Sequence, residues 1–126
     1  MNKIIVQLKV MSFLVMLLGI IHTAATFVLF PVFKKDALID YASLYMFIMV
    51  GISVVFAGCL QWALSDKFKD SRSLGRIMNM SILFMMIMGL GAVFALPDNP
   101  FAYISLAIAI YEIVLMVLSA QPSNPL

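Results

Sequence analysis

The sequence predicts an all-α fold: a membrane-embedded four-helix bundle in up-down-up-down order. Three observations carry that prediction. Of the 126 residues, 64% are hydrophobic and only 11% charged, whereas a soluble domain is about half apolar and a quarter charged. The apolar residues fall into four runs, each near the ~20 residues that a ~30 Å hydrocarbon core requires. The runs are continuous, without the period-two alternation of a barrel strand, and an open strand would leave backbone groups unpaired in lipid.

The first run, Val10 to Phe30, follows Met1-Asn2-Lys3 and contains Thr23-Ala24-Ala25. That arrangement looks like a bacterial signal peptide, but signal cores are only about 7–15 residues long. An uncleaved first helix is therefore expected. The second run is Ser43 to Leu64, the third Ile77 to Leu96 and the fourth Phe101 to Ala120. Loops are expected at Pro31 to Ala42 and at Ser65 to Arg76. The turn Pro97-Asp98-Asn99-Pro100 stops the third helix and starts the fourth, making them antiparallel neighbours. The tail Gln121-Pro122-Ser123-Asn124-Pro125-Leu126 cannot continue a helix. All of residues 1–126 make one membrane domain, and no loop is long enough for a soluble one.

Charge sets the expected orientation. Lys3, Lys9, Lys67, Lys69, Arg72 and Arg76 lie on one side, and only Lys34 and Lys35 on the other. The positive-inside rule then places both termini in the cytoplasm. Aromatic residues support the boundaries: Phe30, Phe33, Tyr41, Tyr45, Phe101 and Tyr103 at the outer one, Trp62 and Phe68 at the inner one.

Several function classes are excluded. A net charge of +2, spread over short loops, leaves no basic face for nucleic acid. The single cysteine, Cys59, allows neither an internal disulfide nor a CxxC pair. The eleven methionines suit Cu(I) in principle, but no histidine or cysteine accompanies Met46, Met49, Met85, Met86 and Met88, and methionine is also an apolar filler. No metal and no cofactor is expected. There is no phosphate loop and no nucleophile–base motif.

Small residues mark the packing faces: Gly19, Thr23 and Thr26 with His22 in helix one, Gly51, Ala57 and Gly58 with Ser53 in helix two. In helix four the stripe is Ser105, Ala109, Glu112, Met116 and Ser119. Within the membrane the ionisable residues are His22 and Glu112, and such residues are functional hypotheses by default. Counting from the outer ends, Glu112 lies roughly 16 Å deep and His22 roughly 12 Å, so they are expected to meet, with Thr26, Ser53 and Tyr111 as further ligand-binding candidates. Gln61 and Asn79, near the cytoplasmic ends, are expected to bond at the interface.

The elements Gly19-Ile20-Ile21-His22 and Gly89-Leu90-Gly91, with a glycine-containing second span, resemble small bacterial four-helix membrane families of unknown function. That resemblance implies a four-helix fold in the bacterial inner membrane, and no reaction. Small multidrug-resistance transporters carry a glutamate in the first helix, where this chain has His22. The quinone-reducing disulfide-forming family needs paired cysteines. The expected function is non-catalytic: an accessory subunit of a larger membrane protein, or a binder of a hydrophobic small molecule, with a homo-oligomer left open. The rivals are a proton-coupled transporter using Glu112 and a membrane-embedded enzyme using His22 and Glu112 as acid and base.

Overall fold

A computed structural model describes residues 3–33, 37–95 and 97–120. The tail from Gln121 onward and the Lys34–Lys35–Asp36 segment lie outside the described residues. Four helices follow in order: α1 (Lys3–Phe33), α2 (Ala37–Leu64), α3 (Arg72–Ala95) and α4 (Pro100–Ala120). All four are long and apolar enough to cross a bilayer. The chain is a multi-pass membrane protein with an all-α fold.

The helices outrun their apolar windows. α1 begins at Lys3 and continues past Pro31, while α2 begins at Ala37, before the expected Ser43. α3 begins at Arg72, not Ile77, because Ser71 caps it: Leu74 N donates to Ser71 Oγ at 3.2 Å and Gly75 N to Ser71 O at 3.1 Å. Long basic side chains keep their charged ends in water while their stems lie on the helix, so charge does not end these elements. At the α3–α4 turn, Asn99 Oδ1 accepts from Phe101 N at 3.0 Å, with Pro100 in the first helical position.

Each helix packs on two neighbours. α1 touches α2 and α4, and α3 touches α2 and α4, so the ring closes with α1 opposite α3 and α2 opposite α4. The α1–α2 hairpin is the tightest pair. A Cβ on Gly58 would sit 2.8 Å from Met16 N and from Ser12 O, so only glycine admits that backbone approach. Gly89 plays the same part in the second hairpin, where a Cβ would lie 2.9 Å from Leu106 Cα.

Two apolar layers fill the ring. Leu8, Leu64, Phe68, Met78, Ile82 and Leu115 form one at the end carrying most of the basic residues, called here the basic end. Val15, Val54, Ala57, Met85 and Ala109 form the other, nearer mid-bundle. Phe68, expected as a membrane anchor, instead folds under the bundle and is 6% exposed. Its loop is held by Phe68 N donating to Leu64 O at 2.8 Å and Asp70 N to Lys67 O at 2.9 Å. Trp62, Tyr41, Tyr45, Phe101 and Tyr103 do face outward.

The two hairpins differ in height. α1 and α2 have 31 and 28 residues, α3 and α4 only 24 and 21. At the basic end all four meet in one layer. At the opposite end Asn99 and Phe101 line the same cavity as His22 and Phe47. From the common layer α1 runs 25 residues on, Leu8 to Phe33, and α3 only 17, Met78 to Ala95, so the first hairpin overtops the second by about 12 Å.

Candidate functional site

Below the tip of the shorter hairpin lies a cavity of about 500 Å³. All four helices contribute to it: Leu18 and His22 from α1, Phe47, Val50 and Val54 from α2, Met85 to Ala95 positions from α3, and Ala102 and Ser105 from α4. Its floor is Val54 and Met85, both in the mid-bundle layer. Gly91 leaves room for it, since a Cβ there would meet no atom within 4 Å. The two glycines of Gly89-Leu90-Gly91 thus do different things. Gly89 lets α4 approach, and Gly91 opens the cavity wall.

Polar groups on this wall are few. His22 packs its ring on Phe47, centroids 5.9 Å apart and planes tilted by 36°. Its Nε2 is buried and has no hydrogen-bond partner. Ser105 Oγ already donates to Ala102 O at 2.8 Å, and Asn99 Oδ1 is taken by the α4 cap. A buried ring nitrogen without a partner costs free energy that a ligand group would restore.

A second polar island lies beyond the floor. Glu112 and Gln61, both 0% exposed, face each other across the bundle axis from the non-adjacent helices α4 and α2. Gln61 Nε2 donates to Glu112 Oε2 at 3.3 Å. Gln61 Oε1 and Glu112 Oε1 are buried without partners. Nearby, Ser81 Oγ donates across to Ala57 O at 3.4 Å, joining α3 to α2.

His22 and Glu112 therefore do not meet. On α2 their neighbours are Phe47 and Gln61, fourteen residues apart and so about 21 Å along the axis. The depth count from the outer ends failed because the hairpins are unequal in height there. Of the other candidates, Thr26 Oγ1 donates to His22 O at 2.8 Å within its own helix. Ser53 is half-buried on α2, outside the cavity wall, and Tyr111 faces outward at 39% exposure.

Gln61 is the residue that reading by hydropathy misplaced. It stands near the end of the apolar run, yet the Phe68 loop closes the bundle beneath it. A signal was present: Gly51, Val54, Gly58 and Gln61 follow spacings of three, four and three, which puts Gln61 on the packing face. Among the described residues no three His, Cys, Asp or Glu side chains converge as a metal site would need. Cys59 is exposed on the outer face of α2, its Sγ 3.4 Å from Met16 Sδ. Comparison with protein families, curated proteins and solved structures finds no match.

Proposed function

We propose that the chain binds a lipid-soluble small molecule in the cavity beside His22, without catalysis. The observation that carries this reading is one apolar chamber of about 500 Å³ with an unpartnered buried imidazole nitrogen on its wall. Ligand sites span about 300–1,000 Å³, are mainly apolar, and fix orientation with a small number of polar groups. The occupant is an uncharged, mostly hydrocarbon or aromatic molecule with a hydroxyl or carbonyl that meets His22 Nε2. His22 lies within the apolar α1 span, so the cavity it lines is at membrane depth. By the basic-residue bias, the cavity opens toward the outer leaflet of the bacterial inner membrane.

A second reading, proton-coupled transport through Glu112, draws on that residue's place on the bundle axis with an unpartnered oxygen. The Val15, Val54, Ala57, Met85 and Ala109 layer separates it from the cavity, which favours the binding reading. An acid–base enzyme would need His22 and Glu112 on one substrate, and their separation gives it no support.

The test is mild detergent extraction followed by mass spectrometry of the small molecules that co-purify. The native chain is expected to retain one lipid-soluble compound near stoichiometry, and a Gly91→Trp variant, which fills the cavity from an open position, to lose it. Identical extracts from both proteins would refute the reading.

A further inference from the structure

A second concavity lies on the other side of the bundle, between α3 and α4 at the basic end. It has a volume of about 700 Å³ and is independent of the cavity beside His22. Its lower walls are apolar, with Ile82 and Leu83 on α3 facing Ile113, Met116 and Val117 on α4. Its upper rim is polar, with Lys69, Asn79 and Ser119. Lys69 reaches over that rim from the α2–α3 loop, and its Nζ donates to Ser119 O at 2.8 Å.

The sequence of α3 adds charge to the same edge. Arg72, Arg76, Asn79 and Leu83 follow spacings of four, three and four, so they form one stripe running into the groove. Arg72 and Arg76 are both exposed. Asp66 is tied to Lys9 at 2.6 Å, on α1. Lys69 lines the groove, and Arg72 and Arg76 lead into it along α3, against one remaining acidic residue, Asp70, in the same loop. The edge keeps a net positive charge beside a hydrocarbon-lined slot.

We infer that this groove is a binding site for an anionic phospholipid, with phosphate held by Lys69, Arg72 and Arg76 and an acyl chain laid between Leu83 and Val117. Charge selects the occupant. A zwitterionic lipid fills the slot equally well but offers no net charge to three cations. Basic pockets between spanning helices on the positively biased side suit acidic headgroups. A slot without cations would be ordinary annular lipid, and cations without a slot would attract acidic lipid diffusely; here both occur together.

The experiment titrates the delipidated full chain, in neutral detergent, with phosphatidylglycerol or phosphatidylcholine of identical acyl chains, read by native mass spectrometry. The native chain is expected to bind one phosphatidylglycerol at least about tenfold more tightly than phosphatidylcholine, because each cation near an acidic headgroup contributes about fivefold. The Arg72→Gln, Arg76→Gln double variant is expected to lose that preference. Val117→Trp, which blocks the slot without touching charge, weakens both lipids, and Lys3→Gln, which removes a cation elsewhere at the same end, changes neither. Equal binding of the two lipids overturns the inference. So does a Lys3→Gln loss as large as the arginine loss, or full binding by Val117→Trp, since either means diffuse attraction. A dimer that excludes lipid from the native chain also overturns it, showing that a second copy fills the groove.

Discussion

Replacing Gln61 and Glu112 together by methionine is expected to stabilise the bundle. Their mutual bond is long at 3.3 Å, against the usual 2.9–3.0 Å. Hydrogen bonds between membrane helices average only about 0.6 kcal/mol. Against that gain stand two buried oxygens without partners, each costing about 1–3 kcal/mol. The pair as a whole is then unfavourable by about 1–5 kcal/mol, and methionine matches both side chains in length. Each single replacement removes one unpartnered oxygen but strips the remaining residue of its last hydrogen bond. Those effects nearly cancel, within about 1 kcal/mol. Denaturation in mixed micelles can be followed by the fluorescence of Trp62, which lies next to Gln61 in the chain. A double variant less stable than the native chain by more than about 1 kcal/mol would refute the reasoning, since it would mean that the oxygens are satisfied. The expected result carries a functional message. A chain that keeps a polar pair at a net cost keeps it for something other than stability.

Three further outcomes are expected. Gly91→Ala should stabilise α3 by about 0.5–1 kcal/mol, because its Cβ meets open space. Gly89→Ala should destabilise the second hairpin, because its Cβ would stand 2.9 Å from Leu106 Cα; equal unfolding midpoints for the two variants would contradict this. In a Cys59→Ser background, a cysteine at exposed Asp98 should react with an impermeant thiol reagent added outside intact cells, and one at exposed Ser71 only after permeabilisation. The reverse pattern would invert the topology.

The number of helices and their order were legible because hydropathy reports what lipid requires. The helix ends were less so: Lys3, Asp40, Arg72 and Arg76 read as loop, yet a charged side chain can leave a helix whose backbone continues. The glycine faces of α1 and α2 could be read from spacing, since small residues at helical intervals have one physical use in a bilayer. The pairing of His22 with Glu112 could not be tested by counting, because depth depends on where two hairpins are flush. They are flush at Leu8, Leu64, Met78 and Leu115, a contact between distant segments that no local pattern reports. The burial of Gln61 depended likewise on Phe68 folding back beneath it.

The unequal hairpins make the protein sensitive to bilayer thickness. α3 and α4 are about 36 and 32 Å long, near the hydrocarbon thickness plus a turn, while α1 and α2 are about 46 and 42 Å. A single membrane cannot match both by thickness alone, and mismatch is absorbed by tilt or local deformation. In a thin bilayer the tip at Asn99 stands nearer the water interface. In a thicker bilayer the same tip sinks among acyl chains. On the binding reading proposed above, which molecules reach His22 is partly a property of the membrane, set by how far the short hairpin falls below its surface.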